Sequence, residues 1–219
     1  MTAIICENLS CSKEDWYGRG PVSVGGISIT IESGEFIGLC GPDGCGKGLL
    51  LNLIGLLERP DAGSIFIAGQ NTGELDPDDL ATFRNEACGY LFGHPYLLPS
   101  FSVAENVAMP LFRICGGEAR DARQRTLEVL TFVGIPDFET SLAGRVPPSV
   151  RWRAAFARAI VHAPGILIAI SPPSDNHLLT LAGRAVRELG ITVLWAGERS
   201  DLVPIADRII DIRDGRCVE

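Results

Sequence analysis

The sequence has little positive charge. It contains 19 lysine and arginine residues against 27 aspartate and glutamate residues, giving a formal net charge of −8 at pH 7. Nucleic acids attract proteins largely through basic side chains, so this composition argues against DNA or RNA as a partner. Lysine is the scarcer basic residue, because Lys13 and Lys47 are the only two in the chain. A lysine kept where arginine is otherwise used makes Lys47 a candidate functional residue.

Long hydrophobic runs are also missing. No apolar run approaches the roughly 18–20 residues that a membrane-spanning helix requires, and Met1–Ile4 lacks the basic segment of a secretory signal. The seven cysteines form no CxxC pair and the chain has three histidines, so neither a disulfide framework nor a zinc site is expected. We therefore expect a cytosolic chain with reduced thiols.

The sequence does contain a regular series of short apolar runs and helical patterns. The early strands are separated by turn residues, which predicts antiparallel pairing, whereas the later ones alternate with helices, as in a parallel sheet. We predict one α/β domain over residues 1–219, with an inserted helical subdomain at about 88–160. Strands are predicted at 3–6, 27–31, 36–40, 64–68, 89–92, 166–170, 192–195 and 208–212, and helices at 49–57, 78–86, 117–133, 150–162 and 178–189.

A glycine-rich segment follows the predicted strand at 36–40 and precedes the predicted helix at 49–57. Its spacing G-x-x-x-x-G-K is typical of a phosphate-binding loop, in which backbone N–H groups and a helix N-terminus surround an anion. The alternative is a simple turn with an exposed lysine. Gly48 lacks the hydroxyl with which serine or threonine binds Mg²⁺ at this position. The candidate nucleotide-binding residues are Gly41, Pro42, Asp43, Gly44, Cys45, Gly46, Lys47 and Gly48.

With this loop in place, the chain resembles the ATP-binding subunit of an ABC transporter, and most of all the subgroup that serves lipoprotein release and macrolide export. The resemblance implies an α/β P-loop ABC-type ATPase fold with a mixed sheet core, an antiparallel β subdomain and an inserted helical subdomain. It also places Tyr17 about where the family has an adenine-stacking aromatic residue. Matching segments lie at 41–47, 49–55, 59–63, 97–99, 105–111, 153–160 and 206–216.

The chain departs from the family pattern at positions that carry chemistry. Ile170 and Ser171 stand where the family has a metal-binding aspartate and a catalytic glutamate, Gly93 replaces a glutamine, and Glu198 replaces a histidine. The signature loop that contacts the γ-phosphate across a dimer contains Pro147 and Pro148, and proline has no N–H to donate. In that loop, Ser149 is expected to cap the following helix.

These departures lead to the expectation that the chain is a pseudo-ATPase and not an enzyme. ATP would bind weakly through 41–47, and Mg²⁺ binding is not expected. The partners expected from the resemblance are an integral membrane permease and either a competent ATPase paralogue or a second copy of the chain. The chain would then lie at the inner face of the cell membrane. Residues expected to contact the permease are Tyr96, Leu97, Leu98, Phe101, Val107 and Met109, although these could equally form the subdomain's own core.

Two alternatives stay open. In the first, the chain is a weakly active ATP hydrolase that powers transport, with Glu198 acting as a displaced base. In the second, it is a soluble regulator without a membrane partner, and its own chain or a cytosolic protein covers the apolar surface at 97–111.

Overall fold

The computed structural model describes residues 1–14, 20–114, 119–173 and 175–218, and these residues form two sheets flanked by helices. The strands are β1 (Thr2–Glu14), β2 (Pro21–Glu32), β3 (Phe36–Cys40), β4 (Ala62–Ile67), β5 (Gln70–Asn71), β6 (Cys88–Phe92), β7 (Ile166–Ile170), β8 (Thr192–Ala196), β9 (Arg208–Arg213) and β10 (Arg216–Val218). The helices are α1 (Lys47–Ile54), α2 (Pro77–Ala87), α3 (Val103–Ile114), α4 (Ala119–Phe132), α5 (Pro148–Ile160), α6 (Asn176–Leu189) and α7 (Arg199–Leu202).

The antiparallel sheet has the strand order β2-β1-β4-β5. Its first strand is longer than the predicted 3–6, because β1 continues past polar Glu7 and Asn8 to Glu14. The pairing of β1 with β2 shifts register between Cys6 and Leu9, where Asn8 has a φ of 49°. This irregularity returns Leu9 to the buried face, where it is 0% exposed. This local bulge interrupts the alternation of buried and exposed residues, so a simple alternation pattern does not predict the full length of β1.

The second sheet has the order β10-β9-β3-β8-β7-β6, in which the five strands from β9 to β6 are parallel and β10 is antiparallel to β9. All five residues of β3 and all five of β8 are buried, as expected for parallel strands covered on both faces. The predicted α/β architecture is confirmed. The carboxyl ends of the parallel strands meet at one edge, which is where ligands bind in such sheets.

Helix α3 is the main element that the sequence interpretation did not predict. Its N-terminus is a capping box, in which the Ser102 hydroxyl accepts from the Glu105 N–H (3.1 Å) and the Glu105 carboxylate accepts from the Ser102 N–H (2.7 Å). These bonds to Ser102 lower the pKa of Glu105. The spacing Ser-x-x-Glu before Asn106 and Val107 is a signal that could have identified this helix.

Candidate nucleotide-binding site

The phosphate loop predicted at 41–48 leaves the carboxyl end of β3 and leads into α1. A cavity of about 640 Å³ opens over it. Part of its wall comes from the loop and α1, part from the ends of β1 and β2, and part from the residue that follows β7. The lining residues are Lys13, Glu14, Gly20, Pro21, Val22, Pro42, Asp43, Gly44, Cys45, Gly46, Lys47, Gly48, Leu49, Asn52, Glu58 and Ser171.

Two glycines give the loop its shape. Gly41 has a φ of 145° and Gly46 a φ of 100°, values that side-chain-bearing residues rarely adopt. A Cβ atom on Gly46 would lie 2.8 Å from the Ser23 carbonyl oxygen, and one on Gly41 would lie 2.9 Å from Cys45 Sγ. The loop therefore passes so close to its neighbours that glycine is required at both positions.

Lys47 is the first residue of α1, and its ammonium group lies over the loop. Lys47 Nζ donates to the carbonyl oxygens of Gly41 and of Pro42, the latter at 3.1 Å. The first N–H groups of a helix have no partners within the helix, so this end of α1 carries partial positive charge next to the ammonium group. The arrangement can bind a phosphate group at the cavity floor.

Gly48 and Ile170 stand at the positions where the family binds Mg²⁺, and neither has a side-chain oxygen that could bind the ion. A Cβ atom on Gly48 would meet nothing within 4 Å, so the space for a hydroxyl exists but the hydroxyl does not. Ile170 ends β7 with an aliphatic side chain. Among the residues that the structure describes, no group of three or more His, Cys, Asp or Glu side chains could hold a metal ion. This donor set does not fit a Mg²⁺ ion at the phosphate loop.

Three further departures from the family pattern, Ser171, Gly93 and Glu198, lie at the same edge of the sheet. Ser171 has a φ of 49° and lines the cavity, and a Cβ atom on Gly93 would lie 2.8 Å from the Ser171 carbonyl oxygen. Glu198 is exposed and immediately precedes α7. The N–H of Gly197 donates to the Leu39 carbonyl (3.2 Å), which places Glu198 beside the end of β3.

The predicted cap of α5 is wrong. Pro147 occupies the N-cap position and Pro148 begins the helix, so Ser149 lies inside the first turn and makes no capping bond. Proline is favoured at the first helical position because an N–H there would have no partner within the helix. The Pro147 carbonyl accepts from the N–H groups of Val150 (3.0 Å) and Arg151 (3.1 Å).

The residues predicted to contact a permease divide into exposed and buried groups. Tyr96, Leu98 and Phe101 are 64%, 45% and 41% exposed. Val107 is 0% exposed and belongs to the hydrophobic core, so its assignment to a contact surface is wrong. The cause is helical periodicity, since Val107 lies on the inward face of α3. Leu97 and Met109 are half-buried, and Leu97 packs against that core.

An apolar groove of about 360 Å³, which was not predicted, lies beside Tyr96, whose ring meets that of the groove residue Phe92 edge to face. The rings of Tyr90 and Phe92 stack in its wall with centroids 5.9 Å apart, and Met109 lines it. Phe112, one turn further along α3, is 59% exposed. We refer to Tyr96, Leu98, Phe101 and Phe112 as the exposed apolar surface. The spacing of Met109 and Phe112 on α3 would have indicated a common face.

Arg158 fixes the position of Tyr96 in that surface. Its guanidinium donates to the carbonyl oxygens of Pro95 and of Tyr96, each at 2.7 Å, and burial lowers its pKa. These bonds attach the segment after β6 to α5, and they hold Tyr96 in a backbone conformation with a φ of 45°.

The cavity also contains a residue that sequence reasoning missed. Lys13 lies at the end of β1 and pairs with Glu58, with Lys13 Nζ 3.4 Å from Glu58 Oε2. The hydrogen bond and charge of Glu58 raise the pKa of Lys13. Tyr17, the residue predicted to stack on adenine, lies outside the described residues.

The fold and the phosphate loop together define a P-loop nucleotide-binding protein. Residues 24–172 match the family model described as ABC transporter, and the chain belongs to this family. It is 35% identical over 197 residues to the lipoprotein-releasing system ATP-binding protein LolD 1 of Rhodopseudomonas palustris, covering 87% of each chain. It is also 35% identical over 212 residues to the macrolide export ATP-binding/permease protein MacB of Hyphomonas neptunium, covering 93% of this chain and 33% of MacB.

The solved structures agree with the sequence relatives. The ATP-binding cassette MJ0796, solved as a dimer in a post-hydrolysis state bound to ADP and Pi, superimposes with a TM-score of 0.86 at 26% identity. The superposition covers 99% of this chain and 97% of that cassette. The predicted family and the predicted P-loop ABC-type ATPase fold are confirmed.

The expectation that the chain is not an enzyme is wrong. Its relatives are named ATP-binding proteins, and the cassette that it superimposes on was captured after hydrolysis, with ADP and Pi bound. The chain is an ATP-binding subunit of an ABC transporter. At the level of the family, the predicted permease partner and the predicted location at the inner face of the membrane are also confirmed. None of the described helices is long and apolar enough to cross a membrane.

Proposed function

We propose that this chain binds ATP in the cavity over the phosphate loop and hydrolyses it slowly, as one ATP-binding subunit of a transporter complex. The observation that carries the proposal is the strand–loop–helix unit at the cavity floor. There the ammonium group of Lys47 and the N-terminus of α1 share one anion-binding position.

Slow turnover is inferred from the side chains at the end of β7. Neither Ile170 nor Ser171 can accept a proton from water at neutral pH, and loss of one acid or base group typically lowers a rate by about 10²–10⁴-fold. Gly48 adds no metal ligand. We therefore infer that ATP binds here without Mg²⁺ and that the chemical step limits turnover.

We further propose that the chain works beside a second ATP-binding subunit that is a competent paralogue. Support comes from the start of α5, where Pro147 and Pro148 have no N–H to offer a nucleotide bound by a neighbouring subunit. Two copies of this chain would leave both sites without those donors. A competent paralogue would supply the missing N–H donors at one of the two sites. This chain would then act mainly in regulation or mechanical coupling.

ATP binding is tested by calorimetric titration of the purified chain, with and without Mg²⁺. Lys47→Ala removes the ammonium group from the loop, so we expect its ATP affinity to fall at least tenfold. The matched control is Arg123→Ala, which removes an exposed cation paired with Glu139 (3.7 Å) on α4, away from the cavity. Equal ATP affinity in wild type and Lys47→Ala would mean that the loop is only structural.

A further inference from the structure

The edge of the parallel sheet opposite the phosphate loop has a cavity of its own. Its volume is about 680 Å³, and its lining includes Ile166 and Thr192, the first residues of β7 and β8. The phosphate loop follows the carboxyl end of β3, which is parallel to β8, so the loop lies at the other end of these strands. None of the described residues lines both cavities. We refer to this space as the opposite cavity.

Apolar side chains from both sheets and from α2 form the wall of the opposite cavity. Three of them are half-buried, namely Ile5 on β1, Phe66 on β4 and Phe83 on α2. Three more are buried, namely Ile4, Ile67 and Ile166. Half-buried apolar side chains around an open space leave apolar area in contact with water, and removing that area from water is favourable. An apolar molecule that fills the space would gain this free energy.

Polar groups at this cavity already have partners within the chain. The Thr2 hydroxyl donates to Glu32 Oε1 (3.2 Å), and the α-amino group of Met1 lies 3.3 Å from Glu32 Oε2. The Thr192 hydroxyl accepts from the Gly34 N–H (3.0 Å). None of the described residues that line the cavity has a charged side chain. The lining therefore favours an uncharged ligand over an ionic one.

The size of the opposite cavity matches a small molecule. Protein interiors are close-packed and leave few voids larger than a water molecule. A space of about 680 Å³ is far larger than such a void, and it falls within the roughly 300–1,000 Å³ of small-molecule sites. The exposed surface of its lining is far below the roughly 800 Å² that each partner buries in a stable protein interface. The cavity thus suits a small molecule better than the surface of another protein.

We propose that the opposite cavity is a second binding site, which takes an uncharged apolar small molecule. It lies away from the nucleotide cavity and shares no described lining residue with it. The proposal therefore does not depend on the proposed function, and the two sites can be occupied together.

Fluorescence titration of the purified full chain with 1-aminoanthracene tests the proposal. This probe is apolar, uncharged at neutral pH and brighter in apolar surroundings. We expect saturable binding of one probe per chain, with the same affinity in Lys47→Ala and in the presence of saturating ATP. Displacement of the probe by ATP would place it in the nucleotide cavity and overturn the assignment.

Two pairs of variants locate the probe. Ala87→Trp adds an indole to the lining on α2, so probe affinity should fall about tenfold or more, because the probe loses the apolar contacts that its binding buries. Ala81→Trp is the matched control, because Ala81 is also half-buried on α2 but does not line the cavity. It should keep the wild-type affinity. Thermal unfolding of each variant is measured first, so that lost binding is not confused with lost folding.

The second pair uses exposed positions at the two ends of β4, where a substitution leaves the fold intact. Ala68 follows β4 and lines the cavity, so Ala68→Asp should weaken probe binding several-fold by adding a charge to an apolar wall. Ala62, the first residue of β4, does not line it, and Ala62→Asp should have no effect. If Ala87→Trp does not fold, this pair decides the question.

Three further results would overturn the assignment. Non-saturable fluorescence would mean that the probe only adsorbs to apolar surface. Unchanged affinity in both lining variants would place the probe elsewhere. Loss of probe binding when the chain is purified with its membrane partners would mean that a partner protein covers the cavity. Absence of ATP binding together with saturable, Ala87-dependent probe binding would overturn the proposed function and support this second site.

Discussion

Ile170 and Ser171 form the junction between the end of β7 and the nucleotide cavity. Ser171 lines the cavity and adopts a left-handed backbone with a φ of 49°, which is uncommon for a residue other than glycine. Pro172 and Pro173 follow at once and restrict the chain further. The backbone thus brings this junction to the nucleotide cavity, although its side chains carry no carboxylate.

We predict that the double substitution Ile170→Asp and Ser171→Glu increases the rate of ATP hydrolysis by at least tenfold. The new carboxylates would supply a metal ligand and a base next to the phosphate loop, and a positioned base typically contributes about 10²–10⁴-fold. Phosphate release by the purified chain in the presence of Mg²⁺ is the measurement.

The matched control for this gain of activity is Ile170→Asn with Ser171→Gln. These amides have nearly the same size as the carboxylates but no negative charge or basicity. Equal rates in the two double variants would show that the identity of these side chains does not limit turnover, which would count against the proposed reason for slow hydrolysis.

At the scale of single elements, the sequence predicted the parts of the site whose residues lie close together in the chain. It missed the parts that only the fold brings together. The phosphate loop was predicted because strand, glycines, Lys47 and helix follow one another within about 20 residues. Lys13 was missed because its place in the cavity depends on β1 lying against the end of α1, which no local pattern records. Val107 was misassigned because the capping box of α3 was overlooked, and with it the helix that turns this residue inward.

The exposed apolar surface gives an element-scale prediction about the permease. Phe112→Asp on α3 should reduce recovery of membrane partners from native membranes in mild detergent several-fold, because it adds a charge to an exposed apolar face. The isolated chain should keep its unfolding temperature, since this side chain is 59% exposed. Undiminished recovery would mean that the permease does not contact this part of α3.

Val107→Asp supplies the contrast on the same helix. Val107 is completely buried in the core, so a carboxylate there should unfold or strongly destabilise the chain. The two variants separate loss of a contact surface from loss of the fold. If Phe112→Asp also unfolded the chain, the phenylalanine would have to be regarded as part of the fold rather than of the surface.

At the scale of the whole molecule, the architecture followed from the pattern of burial. The apolar runs at 36–40, 166–170 and 192–195 predicted parallel strands covered on both faces, and all three lie in the middle of the six-stranded sheet. The short edge strands give no periodic signal of their own, because β5 has two residues and β10 has three. The cysteine composition indicated reduced thiols. The structure shows that several of these free cysteines lie in strands of the two sheets.

Buried thiols make the stability of the whole chain sensitive to alkaline pH. Burial raises the pKa of Cys6 and of Cys88 from 9.0 to about 12. In the unfolded chain these thiols lose their protons near pH 9, whereas in the folded chain they keep them up to about pH 12. Above pH 9 the unfolded state therefore binds fewer protons, and the free energy of unfolding falls as the pH rises.

We therefore expect the free energy of unfolding to be constant with respect to these thiols below about pH 8 and to decline between pH 9 and 11. Urea unfolding across this range provides the measurement. The double variant Cys6→Ala and Cys88→Ala removes both ionisations, so its decline should be shallower even though its stability is lower throughout. Ile4→Val, which trims a fully buried side chain of β1 without touching a thiol, should keep the wild-type slope. An identical slope in the cysteine variant would assign the alkaline loss to other groups, with Tyr90 the first to test, because burial raises its pKa as well.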